Sequence, residues 1–292
     1  MKIQTKAYAK INLILDITAK RNDGFHELFT VMQSVSAHDI ITVEKKKGQG
    51  ITVSCNIPDI PTDDRNIVVK CAKAFFKANK IHHYGIHIDI KKRIPHAAGL
   101  AGGSADGAAT LASLNALYGT EMSINALCDI GAAIGADIPF CLIGGTQLCQ
   151  GKGEIITKTK QLKKCFIVLA KPDVGVNTAN AYREYDVNGK VRTPDNFGML
   201  CALQNRDLAA VASKIDNVFE QFIEVPQRVD IKSIMYQNGA LGACMSGSGP
   251  TVFGIFESRD NAGNAAKELK TFVKDVLVCT PVTKGCKIKI VE

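Results

Sequence analysis

The chain has 292 residues, 46% of them hydrophobic and 22% charged, which excludes a wholly disordered polypeptide and suits about two domains. Against 28 Asp and Glu stand 36 Lys and Arg, a net charge of +8. The surplus suits an anionic small molecule; its densest runs, Lys45-Lys46-Lys47, Lys91-Lys92-Arg93 and Lys163-Lys164, carry no interleaved aromatics, so no nucleic-acid partner is expected.

Ala7 to Ile17 alternates around Ile11, Leu13 and Leu15 as a half-buried strand. The apolar stretch Ile11 to Ile17 is short and holds Asn12 and Asp16, and no run reaches the ~20 apolar residues of a membrane span; a cytoplasmic protein without signal peptide or membrane partner is expected. Asp39 to Lys45 and Ile51 to Ser54 flank Lys46-Lys47-Gly48-Gln49-Gly50 and read as a hairpin. Asn66 begins a helix through Val69, Ala72, Phe75 and Phe76, and Ile86, Ile88 and Ile90 alternate with polar residues in a further strand. A Gly/Ala-rich loop after Pro95 enters a helix from about Ser104 to Tyr118, stopped by Gly119, and a short helix covers Ile124 to Gly131.

Beyond Gly144-Gly145 come turn residues at Gly151-Lys152-Gly153 and a buried strand, Cys165 to Lys171. Helices are expected around Phe197 to Gln204, Leu208 to Phe222 and Asn261 to Lys274, with a second glycine loop, Ser246-Gly247-Ser248-Gly249-Pro250, before a strand at Thr251 to Phe256. The pattern is α+β, with two domains, 1–150 and 151–292. Ten cysteines contain no Cys-x-x-Cys pair and lie mostly among apolar neighbours, so they read as buried, reduced thiols. His82, His83 and His87 complete no zinc spacing.

The most informative stretch is Pro95-His96-Ala97-Ala98-Gly99-Leu100-Ala101-Gly102-Gly103-Ser104-Ala105-Asp106. Where side chains are absent a backbone approaches a phosphate closely, and the following helix offers free N–H groups and its positive dipole end. Ser104 is placed to cap that helix or to reach a metal-bound phosphate. The loop lacks the Gly-Lys-Ser/Thr ending of a Walker P-loop and the dinucleotide Gly-x-Gly-x-x-Gly spacing. By itself it is either a phosphate cradle or a tight packing loop.

Pro-x-x-x-Gly-Leu-x-Gly-Gly-Ser-x-Asp resembles the nucleotide-binding motif of the galactokinase, homoserine kinase, mevalonate kinase and phosphomevalonate kinase (GHMP) superfamily. Leu241 to Phe253 resembles its C-terminal glycine motif, and the two stand in the family's order. Ala9-Lys10-Ile11-Asn12-Leu13 with Arg21-Asn22-Asp23-Gly24-Phe25-His26 is similar to the branch acting on a cytidine diphosphate derivative in isoprenoid precursor synthesis. The resemblance, from residue 6 to about 256, implies a two-domain GHMP-kinase fold. Its N-terminal α/β domain is of the ribosomal-protein-S5-domain-2 type, its C-terminal α+β domain is ferredoxin-like, and the active site lies in the cleft between them. It implies phosphorylation of an alcohol by ATP, with magnesium arriving on the nucleotide, in a monomer or homodimer. Ala101 departs from the family's usual glycine and Ala105 from a frequent second serine.

Phosphoryl transfer needs alignment, charge neutralisation and a group to take the hydroxyl proton. Asp137, in Gly135-Ala136-Asp137-Ile138-Pro139, reads from its neighbours as a turn or helix cap; the resemblance makes it the catalytic base. Lys10, on the polar phase of its strand, either reaches solvent or, as the resemblance implies, supports Asp137. The resemblance also implies cytosine recognition by Phe25 and His26, substrate contacts at Asn12 and Thr178, and adenine-side positions at Asn66 and Lys92. From the residues alone Asn66 is a helix N-cap and Lys92 a solvated strand end. Phe25-His26 argues against a mevalonate- or homoserine-type substrate, neither of which carries a base, and the presence of Lys10 and Asp137 argues against a non-catalytic nucleotide-binding module.

Overall fold

The computed structural model describes residues 2–291. In chain order the elements are β1 (Lys2–Lys20), β2 (His26–Lys45), β3 (Gly50–Cys55), α1 (Ile67–Ala78), β4 (Gly85–Lys91), α2 (Gly102–Tyr118), α3 (Ile124–Ala132), α4 (Ile138–Ile143), β5 (Thr146–Gly151), β6 (Ile155–Lys158) and β7 (Phe166–Lys171). There follow α5 (Thr178–Asn188), α6 (Asn196–Gln204), α7 (Leu208–Ser213), β8 (Asp216–Asn217), α8 (Arg228–Gln237), β9 (Gly242–Met245), β10 (Val252–Phe256), α9 (Arg259–Leu269), β11 (Asp275–Cys279) and β12 (Cys286–Val291).

Two sheets organise them. The larger runs β12-β1-β2-β4-β3, with β5 and β6 continuing from β2 and the short β8 parallel to β1; the smaller is β11-β7-β10-β9, antiparallel throughout. Residue 150, the expected domain boundary, falls within β5, and β6, β8 and β12 all join the first sheet. Helices α1 to α4 cover one face of that sheet, and α8 and α9 pack on the smaller one through Ile231, Met235, Ala262, Ala265 and Leu269.

Several expected elements are observed with altered bounds or partners. β1 is longer than 7–17, and from Ala9 to Ile17 it is buried on both faces, not half-buried. Its second face is covered by the smaller sheet, where Ile11 and Leu13 cluster with Ile167, Leu169 and Phe253. The expected hairpin does not form. β4 lies between β2 and β3, antiparallel to the first and parallel to the second. Ile86, Ile88 and Ile90 are buried there and give β2 a more apolar neighbour than the half-buried β3. The helix expected over 208–222 stops at Ser213. Asp216–Asn217 is drawn out to pair with Ile14–Leu15, and a 3-10 turn follows at Val218–Gln221. The last helix ends at Leu269 rather than Lys274. Six of the ten free cysteines are buried, three half-buried, and Cys201 alone is exposed.

Candidate active site

A cleft of about 1010 Å³ is lined by both glycine loops, the β1–β2 turn, the end of α3, the start of α4 and the first turns of α5. Its floor is the N-terminus of α2. That helix begins without a side-chain cap: Ala101 precedes it in the left-handed region, φ 54°, and Ser104 lies in the first turn. The expectation that Ser104 caps the helix is therefore overturned. Its hydroxyl is free at the cleft, and the first-turn N–H groups of Gly102 and Gly103 have no side-chain acceptor. Small residues let the helix sink inwards; a Cβ on Gly107 would stand 2.9 Å from Cys71 Sγ of α1. The expected stop at Gly119 is observed, left-handed at φ 60°.

The two glycine loops touch. A Cβ on Gly99 (φ +71°) would collide with the Ser246 carbonyl oxygen. The Gly99 carbonyl accepts from Ser246 Oγ at 3.0 Å and from Lys10 Nζ at 3.2 Å. Asn217 holds the second loop from beneath: buried, it donates through Nδ2 to the carbonyls of Met245 and Gly247, both at 2.8 Å. The helix expected over 208–222 would give Asn217 no such role; the structure places it in β8 instead.

Lys10 and Asn12 project from β1 where its pairing with β2 slips, between Tyr8 and Lys10 and again between Asn12 and Ile14. Such bulges re-aim side chains, and both residues are buried yet line the cleft. Lys10 Nζ donates to Asn12 Oδ1 at 2.7 Å, and Asn12 Nδ2 to Thr30 Oγ1 at 2.8 Å. Lys10 therefore does not extend to bulk solvent. Asp137 stands at the start of α4 but makes no capping bond, so the cap its sequence neighbours suggest is absent. It lines the same cleft, and a Cβ on Gly153 would come within 3.8 Å of its Oδ1. Asp137 and Lys10 form no direct ion pair among the described residues. The carboxylate is left open to a hydroxyl donor.

Asn66 is the N-cap of α1, accepting from Val68 N at 3.0 Å and donating to the Pro61 carbonyl at 2.6 Å, while still lining the cleft. Lys92 is no solvated strand end. Its ammonium is buried between Asp39 of β2 and Asp106 of α2, the latter at 2.8 Å. Burial works against its charge, but the carboxylates of Asp106 and Asp39 outweigh it and hold the Lys92 pKa above its usual value. Burial, aided by Asp39, pushes the Asp106 carboxyl well up, with Lys92 opposing. Asp39 Oδ1 also accepts from Arg93 N at 2.5 Å and Ile94 N at 2.8 Å, so this cluster fixes the start of the first glycine loop.

Phe25 is exposed, with Lys152 Nζ 4.7 Å from its ring centre. His26 beside it is buried, its ring bonded to Asp186 of α5. Thr178, in the first turn of α5, shares a 3.0 Å hydrogen bond with Ser248 of the second glycine loop. Helix α5 is not among the expected elements; Asn177, which caps it, is the one signal of it in the sequence. No group of three or more His, Cys, Asp or Glu able to hold a metal occurs among the described residues.

The uncapped, glycine-rich start of α2, an unpartnered Asp137 carboxylate and the buried Lys10 thus line one cleft. The GHMP kinases N terminal domain matches residues 66–145 and the GHMP kinases C terminal domain residues 199–275. A 4-diphosphocytidyl-2-C-methyl-D-erythritol kinase from Caldicellulosiruptor saccharolyticus is 43% identical over 94% of this chain and 95% of its own. One from Clostridium perfringens is 44% identical over 92% and 93%. The crystal structure of a 4-(cytidine 5'-diphospho)-2C-methyl-D-erythritol kinase superposes with a TM-score of 0.80 at 30% identity, covering 95% of this chain and 98% of that one. Homoserine kinase from Cytophaga hutchinsonii, at 20% identity and a TM-score of 0.81 over 99% and 97%, shares the fold. The chain belongs to the GHMP kinases and, within them, to the 4-diphosphocytidyl-2-C-methyl-D-erythritol kinase family. No helix of the described residues is long and apolar enough to cross a membrane.

Proposed function

We propose that the chain transfers the γ-phosphoryl group of ATP to the 2-hydroxyl of 4-diphosphocytidyl-2-C-methyl-D-erythritol, on the non-mevalonate route to isoprenoid precursors. The observation that carries the roles is the convergence of an unpartnered Asp137 carboxylate, a buried Lys10 and the open N-terminus of α2 on one cleft. The α2 N–H groups and the loop from Pro95 to Ala105 hold the phosphates, where the helix dipole favours their charge. Asp137 accepts the hydroxyl proton as the oxygen attacks phosphorus. Lys10, steered by Asn12 and the Gly99 carbonyl, offsets the charge that builds at the transferring group. Magnesium carried by the nucleotide would supply further charge neutralisation, and the free Ser104 hydroxyl at the cleft is the protein group that would hold it. Phe25 and His26 receive the cytosine, and Thr178 closes the substrate side. We place the enzyme in the cytoplasm as a monomer or homodimer.

Asp137→Asn tests the assignment. Turnover, read by coupled ADP release, falls by roughly 10²–10⁴, while ATP affinity by calorimetry stays within about twofold. Lost ATP binding in that variant would make Asp137 a structural residue instead.

A further inference from the structure

Helix α5 presents Tyr182, Tyr185 and Asp186, spaced i, i+3 and i+4 and so on one face, to a single side chain, His26. Tyr182 stacks on the imidazole, centroids 4.9 Å apart and planes 18° off parallel. Tyr185 meets it edge-on at 5.6 Å. Asp186 Oδ1 lies 2.7 Å from His26 Nε2, and Asp186 Oδ2 accepts from Lys20 at 2.8 Å. Nδ1 of His26, by contrast, has no protein partner among the described residues, and the ring lines the cleft. A histidine that only filled the core would not need a carboxylate on one nitrogen and a vacancy on the other.

We propose that Asp186 is a positioning residue that makes the site choose cytosine over uracil, by fixing which nitrogen of His26 carries the proton. The proposal rests on the reading of Phe25-His26 as the base-binding pair. Bonds from Lys20 and His26 hold the Asp186 carboxyl below the usual carboxylate range, so it is ionised and can only accept. Nε2 must therefore carry the hydrogen, an assignment made from the hydrogen-bond network. In the neutral ring this leaves Nδ1 as a bare acceptor. Cytosine presents an exocyclic amine, a donor, at C4; uracil presents a carbonyl at the same place. An acceptor in the site satisfies the first and leaves two lone pairs opposed in the second, and such a mismatch among buried polar groups gives strong discrimination. Lys20 in turn keeps Asp186 charged and aimed, so selectivity depends on a residue that need not touch the base.

The test compares kcat/KM for the cytidine diphosphate substrate and its uridine counterpart. Asn at 186 can donate to Nε2 and move the ring proton to Nδ1. In Asp186→Asn the cytidine-to-uridine ratio is expected to fall at least about tenfold, through the KM of the cytidine form more than its kcat. An unchanged ratio in a folded variant overturns the proposal. A two-bond ¹H–¹⁵N spectrum of histidine-labelled wild type needs no variant: His26 protonated on Nε2 alone supports the proposal, and a proton on Nδ1 near neutral pH overturns it. If wild type turns over neither base form, the substrate reading itself fails, an outcome distinct from a lost preference between two forms that both react.

Discussion

The Lys92→Met replacement probes the buried cluster under the first glycine loop. Lys92, Asp39 and Asp106 side chains are 6%, 0% and 6% exposed, so no solvent replaces the lost ammonium. Removing one member of a buried ion pair costs about 3–5 kcal/mol, a large share of the ~5–15 kcal/mol that holds a domain folded. Asp39 retains the N–H groups of Arg93 and Ile94, which stabilise its charge. Asp106 has only Lys92 as a side-chain partner, and its Oδ1 is bonded to nothing. The proton demanded by two facing carboxylates therefore goes to Asp106, whose pKa, already raised, rises further. A carboxyl raised in the folded state favours folding below its unfolded value and loses that contribution as pH climbs through the folded one. The deficit of Lys92→Met against wild type is thus smallest near pH ~4 and grows towards neutrality. Adding Asp106→Asn removes the second charge and recovers more than half of the loss. Urea unfolding followed by circular dichroism across that pH range measures both effects. A deficit under about 1 kcal/mol, or one that does not change with pH, would refute this reasoning.

Three further outcomes are expected. Gly99→Ala, strained at φ +71° and driven into the Ser246 carbonyl, loses about 1–3 kcal/mol of stability and ATP affinity with it; calorimetric ATP titration finding wild-type affinity would show that the loops part without consequence. Ala101→Gly relieves an alanine held at φ 54°, a cost of ~1–2 kcal/mol that the extra backbone entropy of glycine offsets by ~0.5–1. Its chemical denaturation midpoint should stay level or rise, and a clear drop would mean that the Ala101 methyl contributes packing. Iodoacetamide under native conditions labels Cys201 first, since it alone of the ten cysteines is exposed, whereas burial pushes the thiols of Cys71 and Cys165 up to about 12. Peptide mass spectra showing early modification of Cys71 or Cys165 would contradict that order.

What the sequence makes legible is local. The period of Val69, Ala72, Phe75 and Phe76 after a capping Asn66 specifies α1, whereas the glycines before Ser104 specify a bare helix start that fits a phosphate cradle or close packing until the family motif separates the two. The partner of β2 is another matter. Two alternating strands, β3 and β4, compete for it, and the winner is decided by tertiary burial of Ile86, Ile88 and Ile90. Residues 208–222 carry enough Leu, Ala and Val to read as one helix. The interruption at Asp216–Asn217 follows from β1, two hundred residues away, taking those two residues into its own ladder. Helix α5 buries only Ala181 fully, so it has little apolar period to detect; its important face is the one turned to His26. Lys92 reads as a solvated strand end because both of its carboxylate partners are remote in sequence, 53 and 14 positions off.

The carbonyl oxygen of Gly99 accepts from Lys10 on one side and from Ser246 on the other. One atom of the first glycine loop is thus the common anchor of the lysine and of the opposite glycine turn. On the proposed reading, seating a nucleotide and aiming the ammonium are then mechanically linked, because a displacement of Gly99 acts on both neighbours. A ligand that displaces Gly99 would redirect the lysine, and drift in the second turn would also reach α5 through the bond between Ser248 and Thr178.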